Sequence, residues 1–260
     1  MPDPPRRDAV VLKIGGSVSA EADAALAAVA SLHDGGHEVV VVHGGGPLVG
    51  EWTKSLGLET RFVRGLRVTD EPTRDTALAV LSGLANKRIV AALIARGVPA
   101  VGISGIDGAT LRAGREEPAL GLVGRISLVD TSLVEVLLEA GRVPVLAPAA
   151  IDQKDGALLN VNADAAAGAI AASLPSRLLA FITDVPGVRG RDGATIASLD
   201  ASAARELLAD GTIDGGMVPK VEACLLAAGA GSRAAIVSAG DADSIERLLD
   251  GDVVGTVFDA

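Results

Sequence analysis

Glu38-Val39-Val40-Val41-Val42-His43-Gly44-Gly45-Gly46-Pro47 sets four consecutive valines against three glycines and a proline. Four β-branched residues with no polar alternation predict a strand buried on both faces. Pro47 is pre-set for the first turn of a helix, where its missing N–H costs nothing. A helix is therefore expected over 47–57. A strand with no wet face needs a covering layer on each side, which is the signature of a mainly parallel sheet between helices.

The same grammar recurs outward from this stretch. Residues 9–16, AVVLKIGG, read as a buried strand entering a glycine turn. A helix follows, with Ser19 as its N-cap, an apolar stripe at Leu26, Val29 and Leu32, and Gly35 as its stop. Residues 69–97 read as one long helix or two in succession. VPAVGIS (98–104) is a strand, and 107–130 is Gly-rich hairpin material. A helix capped by Thr131 precedes a single strand over VPVLAPAAI (143–151). DGALLNVNAD (155–164) is a turn leading into an Ala-rich helix. RLLAFITDV (177–185) is a strand, two helices cover ASAARELLADG and MVPKVEACLLAAG, and RAAIVS, SIERLLDG and GTVF close the chain as strand, helix and strand. Strand–helix alternation nearly throughout predicts an α/β fold. Pro175 and a break in helical pattern place a lobe boundary near residue 176.

Composition narrows the function. Of 260 residues 49% are hydrophobic and 2% aromatic, with no tyrosine. That suffices for the core of one large α/β domain or two closely joined lobes, built from Ala, Val, Leu and Ile. Sparse aromatics argue against a single-stranded nucleic-acid platform. A net charge of −10 disfavours polyanion partners. The lone Cys224 cannot form an intrachain disulfide and reads as a core thiol. His33, His37 and His43 lack metal-ligand spacing, and no metal site is expected. No run reaches the roughly 18 apolar residues of a membrane span. MPDPPRRDA is too short and Pro-rich for a signal peptide, so a cytoplasmic protein is expected.

In such sheets ligands bind at the carboxyl ends of strands. KIGGS, HGGGP, NVNAD and TDVPGV all fall there. Lys13 before Gly15 and Gly16 offers a mobile cation beside backbone N–H groups that can cradle phosphate; the alternative is an ordinary turn with a surface lysine. The 44–46 glycines form a second anion nest at a helix start, or simply a tight turn. No Gly-Lys dipeptide exists, which excludes a P-loop, and GGSVSA is not a dinucleotide fingerprint. Asn160, Asn162 and Asp164 alternate, so an extended backbone would aim all three the same way; helix capping by Asn162 or Asp164 is the alternative. Lys220 begins a helix beside Gly215 and Gly216, where the dipole already repels a cation. An anion or carboxylate nearby would explain it; otherwise it is a solvated lysine. Arg61, Arg64 and Arg67 make a local cationic patch, and their spacing does not say which one faces a ligand.

Together VLKIGGS, VVVHGGGP, GLRVTD, ANKRIVAALIARG, NVNADAAA, TDVPGV and GGMVPKVEA resemble the amino acid kinase family in order and spacing, over roughly residues 9–258. NVNAD with GGMVPK is the specific part; KIGG alone is shared by many relatives. The resemblance implies a three-layer αβα sandwich around a mainly parallel open sheet. It implies that residues 1–176 bind the acyl amino acid and dimerise, and that 177–260 bind ATP. Lys13 and Lys220 match the two catalytic lysines, and Asp164 matches the aspartate that organises them. Gly45, Gly46, Arg67 and Asn160 match substrate-binding positions, with Arg67 on the substrate's α-carboxylate. Gly15 and Gly16 match the phosphate-turn glycines. Asp184, Val185, Pro186, Gly187, Val188 and Arg189, with Thr212, Ile213 and Asp214, fall where the family contacts the nucleotide.

The implied reaction is ATP-dependent phosphorylation of the γ-carboxylate of N-acetyl-L-glutamate, the second step of arginine biosynthesis. Mg²⁺ would ride on the ATP phosphates without a protein ligand. A carboxylate with a reference pKa of about 4.3 is already ionised and needs no general base. SGIDG would suit a kinase acting on carrier-protein-linked aminoadipate or glutamate, whereas NVNAD and GLRVTD favour acetylglutamate. A non-catalytic nucleotide or amino-acid sensor is weakened by the presence of both lysines and Asp164. About eight residues precede the first strand, three of them prolines, where arginine-inhibited hexamers carry an extra helix. A homodimer insensitive to arginine is the expectation.

Overall fold

The computed structural model describes residues 9–15, 20–63, 65–241 and 243–258. In chain order it contains β1 (Ala9–Ile14), α1 (Ala20–Asp34), β2 (Val39–His43), α2 (Gly46–Ser55), β3 (Phe62–Val63), β4 (Leu66–Arg67), α3 (Glu71–Leu78), α4 (Asn86–Ile94), β5 (Ala100–Ser104), β6 (Leu111–Arg115), β7 (Val123–Val129), α5 (Ser132–Glu139), β8 (Val143–Ala147), β9 (Ala149–Asp152), β10 (Leu158–Val161), α6 (Ala163–Ser173), β11 (Ser176–Thr183), β12 (Ser198–Leu199), α7 (Ala201–Ala209), α8 (Val218–Gly229), β13 (Arg233–Ser238), α9 (Ser244–Leu249) and β14 (Thr256–Phe258).

The valine run does what its composition dictates. All five residues of β2 are buried, and β2 lies between β1 and β8 in an eight-stranded sheet ordered β12-β14-β13-β11-β1-β2-β8-β5. Every neighbouring pair is parallel except β13 with β14. Alternate side chains feed two cores. Val11, Val40, Val42, Leu146 and Phe181 pack under α5, α6, α7 and α8. Val10, Leu12, Val39, Val41 and Val145 pack under α1, α4 and α9. This is a three-layer αβα sandwich. The sheet runs unbroken through residue 176, because β11 inserts between β1 and β13.

Several local expectations are refined. VPVLAPAAI is two strands, not one: Pro148 lies between β8 and β9, and the second strand leaves the sheet. The DGALLNVNAD stretch contains a true strand, β10, rather than a turn alone. β9, β10, β7 and β6 close into a four-stranded barrel, so the expected hairpin of 107–130 supplies half of a closed unit. Thr131 stands at the N-cap position, but its hydroxyl donates to Glu135, and Asp130 Oδ1 accepts the Ser132 N–H. At the end of α1 the left-handed residue is Gly36 (φ 80°), one beyond the expected stop. The Ser19 cap lies outside the described residues.

Between α3 and α4 the chain winds as a π-helix over Ala79–Ala85, making one continuous helical run. By length and composition the stretch Glu71–Ile94 could cross a membrane, which the sequence reading did not anticipate. Here it is a packing element: Val80, Leu81, Ala85, Ile89 and Leu93 are buried against the protein's own core. Cys224 is a buried free thiol on α8, as expected.

Candidate active site

The carboxyl ends of β1 and β2, the β10–α6 junction and the start of α8 converge. The convergence is built on small residues. α6 and α8 cross at Gly168, where a Cβ would sit 2.7 Å from that of Ala223. Glycine and alanine let the two helices approach closely enough for Asp164 on the first turn of α6 to meet Lys220 on the first turn of α8. Lys220 Nζ donates to Asp164 Oδ2 at 2.8 Å and to the Gly216 carbonyl at 3.2 Å. Lys13 Nζ, from β1, lies 2.8 Å from Asp164 Oδ1. The carboxylate that the odd position of Lys220 called for is therefore Asp164.

Asp164 is 5% exposed. Burial alone would raise its pKa, yet Lys13 and Lys220 outweigh that cost and hold it below its ordinary value. Asp164 does not cap its helix. Asn162 does, its Oδ1 accepting from the N–H groups of Asp164 and Ala165. The NVNAD alternation thus divides its labour: Asn160 from the strand, Asn162 as cap, Asp164 as counter-ion.

A cavity of about 350 Å³ opens onto this array. Lys13, Gly15, Gly45, Gly46, Arg67, Asn160 and Asp164 all line it, so the expected acceptor residues are brought together with Lys13 and Asp164. Gly45 has φ 157°, and a Cβ there would lie 2.6 Å from Leu81 Cδ2, so only glycine fits. Arg67 donates through Nη2 to the Gly46 carbonyl at 3.0 Å and lies 4.8 Å from the Phe62 ring centroid. Its Nη1 is buried with no partner among the described residues. Burial pushes the guanidinium below its ordinary pKa. Arg67 lines the cavity, and a guanidinium there suits a carboxylate. Of the cationic patch, Arg67 is the member that faces the cavity, and Arg64 lies outside the described residues.

Among the described residues expected at the nucleotide, Gly15 lines this cavity and the others do not. Asp184 follows β11, which pairs with β1 in the register Lys13↔Phe181, so Thr183 and Asp184 stand near the carboxyl end of β1. Gly16 lies outside the described residues. Val185, Pro186 and Arg189 lie along the loop after β11, with Pro186 and Arg189 exposed. Thr212 and Asp214 precede the short turn that starts α8. Val188 and Ile213 are buried in the core and can offer a ligand only their backbone. Gly187 is likewise backbone only, since a Cβ would lie 2.5 Å from Thr256 Oγ1.

Two residues were missed. Thr69 is fully buried; its hydroxyl donates to the Arg67 carbonyl at 2.7 Å, and Asn160 Nδ2 donates to it at 3.4 Å. Asn86 is buried on α4 and touches His43. The signal in the sequence was a lone polar residue on an apolar helical face at Asn86 and, for Thr69, its place inside GLRVTD.

The sequence pattern described as the Amino acid kinase family matches residues 8–238. The chain is similar to the acetylglutamate kinase of Dehalococcoides mccartyi strain 195, 46% identical over 233 residues, covering 88% of this chain and 86% of that one. It is 48% identical over 220 residues to the acetylglutamate kinase of Geobacillus kaustophilus HTA426, with 84% of each covered. Among solved structures, smu.665 from Streptococcus mutans UA159 superposes with a TM-score of 0.82 at 26% identity, covering 98% of this chain and 99% of that one. On its sequence, its sheet and its pair of lysines about one aspartate, this chain belongs to the amino acid kinase family.

Proposed function

We propose that the chain transfers the γ-phosphoryl group of ATP to the γ-carboxylate of N-acetyl-L-glutamate, the carboxyl-phosphorylating step early in arginine biosynthesis. The observation that carries this is the Lys13–Asp164–Lys220 array, whose Lys13 and Asp164 line a cavity shared with Arg67 and a glycine turn. The relatives at 43–48% identity supply the acyl group.

The chemistry asks little of the protein beyond placement. A carboxylate oxygen of the acceptor attacks the γ-phosphorus, the bond to the bridging oxygen breaks, and ADP leaves with that electron pair. No proton is removed from the nucleophile. Two anions must be held together and charge on the transferring group neutralised. Lys13 attends the attacking and transferred oxygens, Lys220 the leaving side, and Asp164 holds both ammonium groups in place. Arg67 and Asn160 take the α-carboxylate, while Gly45 and Gly46 present backbone N–H groups. Gly15, Gly16, the 184–189 loop and residues 212–214 receive the nucleotide.

Both oxygens of Asp164 already face ammonium groups. That donor set suits two cations of the protein itself, so in this reading Mg²⁺ stays on the ATP phosphates. Residues 1–176 form the acceptor half and 177–260 the nucleotide half of a cytoplasmic homodimer, with neither nucleic acid nor membrane as a partner. A coupled ADP-release assay with Mg-ATP tests the substrate, comparing N-acetyl-L-glutamate with glutamate, aspartate and carrier-linked aminoadipate. Turnover confined to N-acetyl-L-glutamate is expected; preference for another acid overturns the acceptor and leaves the lysine chemistry standing.

A further inference from the structure

His43 ends β2 fully buried beside the cavity, yet the phosphoryl transfer outlined above does not use it. Its Nδ1 lies 2.8 Å from the Gly44 carbonyl oxygen, and its Nε2 lies 3.2 Å from Asn86 Nδ2. A carbonyl oxygen only accepts, so Nδ1 carries the hydrogen and Nε2 receives the Asn86 amide. The ring is neutral and confined to one tautomer. Burial, aided by the charges of Lys13 and Lys87, lowers its pKa to about 4 against the opposing pull of the Gly44 bond.

Asn86 is itself locked from three sides. Nδ2, with two hydrogens, donates to the Val145 carbonyl oxygen on β8 at 2.8 Å as well as to His43, and lies 3.3 Å from the Ile103 carbonyl oxygen on β5. Oδ1 accepts from Lys87 Nζ at 3.1 Å. Residue 102 must be glycine for Asn86 to enter, because a Cβ there would lie 1.9 Å from Asn86 Oδ1. A chain of buried hydrogen bonds therefore runs from β8, through an amide and an imidazole, to one carbonyl of the glycine turn.

In a trans peptide the C=O and the following N–H point in opposite directions. Holding the Gly44 oxygen against the ring turns the Gly45 N–H away from it, towards the cavity that Gly44, Gly45 and Gly46 line. Glycine populates both signs of φ readily, so without the tie this peptide is free to flip. We propose that His43 and Asn86 are positioning residues that fix the Gly44–Gly45 peptide plane and so aim the Gly45 N–H at an oxygen of the acyl amino acid. This rests on the acceptor reading given above.

The test is steady-state kinetics of His43→Leu, His43→Asn and Asn86→Leu with N-acetyl-L-glutamate and Mg-ATP. An asparagine amide stands where Nδ1 stood and can still donate to Gly44. His43→Leu and Asn86→Leu are expected to raise the acceptor KM about tenfold, with the ATP KM within about twofold of wild type. His43→Asn is expected to recover most of the loss. Parallel rises in both KM values, or His43→Asn no better than His43→Leu, overturn the relay. Nitrogen-15 NMR of the wild-type imidazole decides the matter if a variant does not fold or if wild type turns over no acceptor. A neutral ring protonated on Nδ1 at neutral pH supports the relay; protonation on Nε2, or a charged ring, overturns it. Lack of wild-type turnover counts against the kinase reading alone.

Discussion

Lys220 and Lys13 occupy opposite oxygens of one carboxylate, each 2.8 Å from Asp164. Lys220 is also held by the Gly216 carbonyl at the start of its own helix. Lys13 projects from a strand end and Lys220 from a helix start, and the buried anion between them fixes both. Asp164→Asn keeps the shape but turns one side of the group into a donor facing an ammonium. It is expected to lower kcat about 100-fold or more, and to cost about 3 kcal/mol because buried charge loses its partner. In a double-mutant cycle, Asp164→Ala with Lys220→Ala should cost far less than the sum of the singles, because the three groups act as a unit. Additive losses in kcat would show that the lysines work independently.

The two glycines proposed to hold the acceptor differ sharply in what surrounds them. A Cβ at Gly45 meets Leu81 at 2.6 Å in a left-handed backbone, whereas one at Gly46 meets nothing within 4 Å. Gly45→Ala is expected to destabilise the fold by about 1–3 kcal/mol. Gly46→Ala should leave the melting temperature nearly unchanged, so any effect it has on the acceptor KM reports contact with substrate. Equal loss of stability in both variants would contradict this geometry.

How much of this could be read in advance follows the range of each interaction. Val39–Val42 and the glycines after it are local signals, and they gave the buried strand and the turn. Lys220 was conspicuous because a cation at a helix start conflicts with the dipole, and the resolving carboxylate proved to be Asp164. Other features had no local signature. AVLSGLA is ordinary helical sequence, and nothing in it marks a π-helix. The barrel closes through parallel pairing of β10 with β7 and of β6 with β9, which joins segments distant in the chain. Val188 and Ile213 sit inside loop motifs, where residue type alone did not separate a ligand contact from a core anchor. Asn86 gained meaning only once β5, β8 and His43 stood around it.

Thr69 ties two of the acceptor residues together. Its hydroxyl donates to the Arg67 carbonyl and receives Asn160, while its backbone pairs with Leu120 and Leu122. Thr69→Val preserves the shape and removes the hydroxyl. The acceptor KM should rise about fivefold or more and the ATP KM stay constant, with stability falling by about 1 kcal/mol. Thr69→Ser should restore the acceptor KM. Failure of serine to do so would mean that the methyl group, not the hydroxyl, sets the clamp.

The neutrality of His43 makes a prediction about stability that needs no substrate. Its pKa falls from 6.5 to about 4 on folding. Between those values the unfolded chain binds a proton that the native protein refuses, so stability rises with pH across the window. The contribution is complete above 6.5 and is lost as pH falls towards 4, a span worth about 3 kcal/mol. Asp164 titrates below its ordinary 3.8 and so lies beneath this window. Lys13 and Lys87 are the charged side chains that act on the ring. His43→Asn carries no titrating group at the site. Chemical denaturation at a series of pH values should therefore show the wild-type curve falling more steeply than the variant's as pH drops through the window. Parallel curves would mean that His43 takes up its proton in the folded protein as easily as in the unfolded chain, and that the ring is not held in its neutral form by burial.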